Sequence, residues 1–176
     1  MFDKEYSFKG SHAEKVIKLT AQFDSNSSSK LFMRNIDVYI IAPIIGFLYG
    51  KKSEIDKSSN ETTKIFPQQL SNELTNLKYN YQLIMLLDKK NESDLDNRIN
   101  KAFRFYGSDK SKNDGALYEQ YVLGGVDILY EKLIENATNS EDYIKNLYDF
   151  IEEFNERYNE TVSTDSIVDL CRLARS

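Results

Sequence analysis

The stretch "NIDVYIIAPIIGFLYG", Asn35 to Gly50, constrains the fold of this chain more than any other. Its apolar run from Val38 to Tyr49 is 12 residues long, with Asp37 before it and Lys51 and Lys52 after it. A membrane-crossing helix needs about 20 apolar residues, so the run is expected in the interior of a folded domain, with no membrane contact. Ala42, Gly46 and Gly50 recur at every fourth position, which on a helix leaves a groove down one face. Pro43 removes a backbone hydrogen bond and crowds the preceding turn, which predicts a kink or a break near Ile40 to Ala42.

A groove of this kind needs a partner that can come close. The later segment "ALYEQYVLGGVDILYEKLIEN" has a helical apolar side through Leu117, Tyr121, Val126, Leu129 and Leu133, yet carries Gly124 and Gly125 at its centre. Each mid-helix glycine costs about 1 kcal/mol relative to alanine. Close backbone approach would offset that cost, so the Ala42/Gly46 face and the Gly124/Gly125 face are predicted to share one core.

Further helices are predicted from Ser11, where "SHAE" has the form of a capping box, and from Pro67 to about Asp88. Another opens at Ser93, with Asp94 and Asp96 in its first turn, and closes near Gly107. "NSEDYIKNLYDFIEEFNERY" is amphipathic through Ile144, Leu147, Tyr148, Ile151 and Phe154, and "STDSIVDLCRLAR" supplies a short last helix. Asp24 to Lys30 and Lys51 to Thr63 read as polar loops, and no strand is predicted. Only two prolines and seven glycines argue against a turn-rich β fold. The expectation is an all-α protein: a single compact bundle of six or seven helices around a kinked central apolar helix. Residues 1–135 are assigned to a helical core domain and 136–176 to an acidic helical extension packed on the same domain.

The net charge of −5 is concentrated at one end: residues 126–176 hold five basic and twelve acidic side chains. Bulk attraction to nucleic acid is therefore not expected, which leaves local patches. The strongest is "RINKAFRFYGSDKSK", where Arg98, Lys101 and Arg104 at three-residue spacing could form a cationic stripe, extended by Lys110 and Lys112. Phe103 in the same segment is expected in the core.

One histidine and one cysteine, His12 and Cys171, cannot make a nitrogen/sulfur zinc site, and no metal or cofactor is expected. His12 reads as an exposed first-turn residue and Cys171 as packing in the last helix. A lone cysteine and an N-terminus without an apolar run point to a reducing cytoplasm. A carboxylate-dependent enzyme would need several of Asp37, Asp88, Asp94, Asp127 and Glu131 to converge. Asp37 and Asp127 sit in apolar surroundings and are expected in buried ion pairs, Asp37 with Arg34 and Asp127 with Arg98 or Arg104. Phosphate-binding glycine loops and nucleophile elbows are missing from the sequence.

The order "DVYIIAPIIGFLYGKK", "IFPQQL", "YQLIMLLD", "RINKAFRFY", "YEQYVLGGVDILYEKL" resembles small accessory proteins encoded beside bacterial DNA-phosphorothioation (dnd-type) and related anti-phage defence systems. These share a "GF-x-YG-(K/R)" helix and a later "(E/N)-x-YxxGG-x-(D/E)-IL" helix. The resemblance covers roughly residues 31–134 and departs from the family's alanine-rich segment at Pro43. It implies a defence-system context and carries over no catalytic residue. Together with the lack of a catalytic constellation and twelve tyrosines suited to interfaces, it leads to the expectation of a non-enzymatic accessory or adaptor protein that binds a larger protein partner. The alternative is a nucleic-acid-binding module of such a system, using residues 98–112.

Overall fold

The computed structural model describes residues 2–24, 28–56 and 59–158. In chain order it forms β1 (Tyr6–Lys9), α1 (Gly10–Leu19), α2 (Asn35–Leu48), β2 (Thr62–Ile65), α3 (Pro67–Asn72) and α4 (Leu74–Leu87). It continues with α5 (Leu95–Ile99), a π-helical turn (Asn100–Arg104), a short 3-10 turn (Asp109–Ser111), α6 (Lys112–Leu133) and α7 (Ser140–Tyr158). Seven α-helices among the described residues make the protein mostly helical, in line with the sequence expectation. The last predicted helix, with Cys171, lies outside the described residues.

α2 and α6 cross at the centre, and the glycines decide how closely. A Cβ built on Gly125 would lie 1.7 Å from the Ala42 carbonyl oxygen, and one on Gly46 would lie 2.1 Å from that of Tyr121. No side chain fits at either position, so the two backbones touch directly. Gly124 faces the other way, toward the segment after α2, where its Cβ would meet the Lys51 carbonyl oxygen at 2.2 Å. Gly50 is not part of the groove. At φ +64° it ends α2, with its N–H on the Phe47 carbonyl and the Lys51 N–H on the Gly46 carbonyl. These are the paired bonds of a Schellman motif, which satisfies carbonyls the helix end leaves open. α2 runs unbroken through Pro43, and Asn80 of α4 donates to the Ile40 carbonyl beside the proline at 2.8 Å.

Two short strands correct the expectation of none. β1 and β2 pair antiparallel, Tyr6 opposite Ile65 and Lys9 opposite Thr62. The inward residues Phe8 and Ile65 are fully buried, and Tyr39 of α2 packs its ring 4.4 Å from Tyr6. Residues 51–56 are likewise not a free loop: Ser53 N–H bonds the Gln120 carbonyl of α6, and Asp56 accepts from the Ser11 N–H. Asp56 therefore caps α1 from a distance, in place of the predicted serine box.

Candidate functional site

The basic segment does not form the predicted stripe. Arg98 is buried and turned into the fold, its guanidinium donating to the carbonyls of Leu86, Glu92 and Ser93, each at 2.9 Å. Lys101 lies between Glu92 and Asp114, at 3.5 and 3.6 Å. Only Arg104, Lys110 and Lys112 are exposed, with Lys112 paired to Asp109 and Lys110 over the Phe105 ring. Arg98 and Ala102, one helical turn apart, share the inward face, which puts Phe103 on the opposite side and leaves it 53% exposed, correcting its assignment to the core. A π-turn closes the segment, with the Phe105 N–H on the Asn100 carbonyl.

The anticipated acids also resolve differently. Arg34 and Asp37 pair as expected, at 2.6 Å, but the pair is at the surface, where Asp37 also accepts from the Arg34 backbone N–H and caps α2. Neither Arg98 nor Arg104 serves Asp127, which lies across the molecule on α6. One of its oxygens accepts from Lys15 at 2.7 Å and lies 3.3 Å from His12 Nε2, while the other accepts from Ser53 at 2.5 Å. His12 is buried rather than exposed, and neither of its ring nitrogens makes an aligned hydrogen bond among the described residues. The Ser53 hydroxyl points at a carboxylate and not at the imidazole, so no nucleophile–base pair forms. Asp127 instead ties α1 and residues 51–53 to α6.

Burial alone would raise the Asp127 pKa, but the influence of His12, Lys15 and Ser53 outweighs it and holds the carboxyl well below its usual range. A depressed folded pKa stabilises the fold above the unfolded value, and that stabilisation is lost as pH falls through the folded one. Wild-type stability should therefore drop more steeply below about pH 4 than that of Asp127→Asn, which should already be about 2 kcal/mol weaker at pH 7. Urea titrations of both proteins at pH 7 and pH 3 measure this. Equal acid-induced losses would remove Asp127 as a contributor.

The remaining carboxylates named from sequence do not join Asp127. Asp88 is buried against the Tyr121 hydroxyl and the Asn91 amide, Asp94 accepts from the Asn97 N–H at the start of α5, and Glu131 is exposed. Among the described residues no group of three His, Cys, Asp or Glu side chains is placed to hold a metal ion.

The feature that sequence reasoning missed is the outward face of α7. Its inner side holds Tyr143 stacked on Phe23, Asn146 on the Leu133 carbonyl, Phe150 stacked on Tyr49, and Glu153 bonded to Lys132 and Tyr49. The outer side is apolar as well: Ile144 is 62% exposed, Tyr148 59% and Ile151 57%, with Leu147 between them. Of the five residues expected to pack, only Phe154 faces the core. Beside Ile151 a groove of about 310 Å³ opens between α7 and α2, lined by Ile45, Phe150, Ile151, Phe154 and Asn155. The signal was present in the sequence, because α7 has apolar residues at two helical phases, 143/150/154 and 144/148/151, and one helix cannot bury both against a single neighbour.

Among the described residues no helix is long and apolar enough to cross a membrane. Compared with protein-family models, curated proteins and solved structures, the chain has no match.

Proposed function

We propose that this chain is a non-enzymatic accessory protein of a bacterial anti-phage defence system, working as an adaptor that binds a larger protein partner. The observation that carries the adaptor reading is the apolar outer face of α7, continuous with the groove beside Ile45. Apolar residues scattered singly over a surface need no explanation, but a row along one helix beside an apolar groove marks an interaction surface. The defence context rests on the resemblance over residues 31–134. Its two glycine-bearing motifs are the helices that cross at the centre, so the shared residues would preserve a scaffold while partner contacts lie elsewhere. Direct nucleic-acid binding has weaker support, since Arg98 is buried and Lys101 is engaged by two carboxylates.

The test is co-purification of the tagged full chain with the products of its neighbouring genes. One of them should co-elute in fixed stoichiometry. Failure to retain any, together with hydrolase activity of the purified chain alone, would sink the proposal.

A further inference from the structure

We infer that the α7 face receives an amphipathic helix with a basic flank, contributed by the protein partner. The inference rests on the adaptor reading and names the chemistry of its partner.

Three observations carry it. Ile144, Leu147, Tyr148 and Ile151 follow the i, i+3, i+4, i+7 spacing of one helical face, so the apolar strip is long and narrow. The groove lined by Ile45, Ile151 and Phe154 adjoins that strip at Ile151, its C-terminal end, and a valley between two helices is the shape into which a third lays its apolar side chains. The third observation is charge. Glu141, Asp149, Glu152 and Glu156 are exposed on the flank of α7 away from the groove, against a single lysine there, Lys145. An occupant with Lys or Arg beside its apolar stripe meets these carboxylates favourably. A second copy of this chain would bring its own α7 carboxylates against them, so like-charge repulsion disfavours self-association through this face.

The probe is a fluorescent synthetic peptide of about 18 residues, built from leucine and lysine with leucines at helical spacing. Controls are a peptide of the same composition with strict alternation and a leucine/glutamate peptide at helical spacing. Binding is read by fluorescence anisotropy with the full chain at low and moderate salt. The helical leucine/lysine peptide should bind at least about tenfold tighter than either control. Ile144→Ser combined with Ile151→Ser, both at exposed positions, should weaken it by about tenfold with the melting curve unchanged. Glu152→Gln with Glu156→Gln should weaken it by about threefold and flatten its salt dependence.

Equal binding of all three peptides, or full binding by the double serine variant, overturns the inference. So does a wild-type dimer in sedimentation that the double serine variant converts to monomer, because the occupant would then be a second copy. Near-complete intramolecular disulfide formation between Cys171 and the variant Ile151→Cys would likewise assign the face to the chain's own C-terminal residues. A neighbouring gene product retained equally by wild type and double variant removes this inference and leaves the adaptor reading in place. Peptide binding by a chain that retains no gene product and shows hydrolase activity alone overturns the adaptor reading and leaves the face's preference for a basic amphipathic helix in place.

Discussion

Replacing Gly125 with alanine should cost about 3 kcal/mol of stability or more, although alanine is the better helix former by about 1 kcal/mol. The added methyl would lie 1.7 Å from the Ala42 carbonyl oxygen, 2.4 Å from its carbon and 2.9 Å from its Cα. All three are backbone atoms within α2, and no rotamer change can move them aside. The helices must part instead, and parting them loosens the packing of the core on both sides of the crossing. For a chain of this size the loss corresponds to a fall in Tm of about 10 °C. Gly46→Ala should behave similarly, since its methyl would lie 2.1 Å from the Tyr121 carbonyl oxygen. The double variant should lose little more than the worse single, because one separation of the helices makes room for both methyls. Thermal and urea melts of the three variants measure this. A Gly125→Ala protein as stable as wild type would mean that α2 and α6 do not cross this closely.

The second large effect is expected at Arg98. Arg98→Met keeps the apolar stem but leaves the carbonyls of Leu86, Glu92 and Ser93 without their donor. Unsatisfied buried acceptors cost about 1–3 kcal/mol each, and partial access to water reduces the sum, so a loss of about 3 kcal/mol is expected. Arg98→Lys should recover less than half, because an ammonium on a flexible stem cannot reproduce the planar fork that reaches three oxygens. Arg104→Ala, on the exposed side of the π-turn, should change stability by no more than about 0.5 kcal/mol. Chemical denaturation separates these outcomes. If Arg98→Met and Arg104→Ala prove equally stable, the turn between α4 and α5 is not held by Arg98.

These expectations also show where sequence reasoning works on this chain. Glycine carries information because its cost in a helix must be offset, and the spacing pairs the Ala42/Gly46 face with Gly125, whereas its neighbour Gly124 packs against the Lys51 carbonyl instead. Gly50 fell into the same four-residue spacing for an unrelated reason, the left-handed turn that ends α2. The strands were illegible because each spans four residues and is defined by a partner more than fifty positions away. Arg98 and Phe103 exchanged their expected surroundings because helical spacing puts them on opposite sides of the segment without saying which side meets the core. His12 was assigned to solvent because a local reading of "SHAE" cannot include Asp127, which approaches from α6. On α7 the spacing singled out the 144/147/148/151 face and passed over Tyr143 and Phe150, which pack on the core, because periodicity alone cannot say which of two apolar faces finds it.

The crossing of α2 with α6 has a consequence for how the protein is made. α2 ends at Leu48 and its covering helix begins at Lys112, with β2 and three further α-helices between them. At about 5–20 residues per second, the ribosome needs roughly 3–12 s to deliver those intervening residues. For that interval the most apolar helix of the chain has α1, β1 and the emerging α4 for company, but not the backbone it was shaped to touch. Contacts of such long sequence separation, 112 residues for Lys15 with Asp127 and 74 for Ser53 with Asp127, also close large loops before they return any stability. Folding should therefore be slow for a helical protein of this size, with α2 the segment most exposed to chaperones and to aggregation while synthesis proceeds.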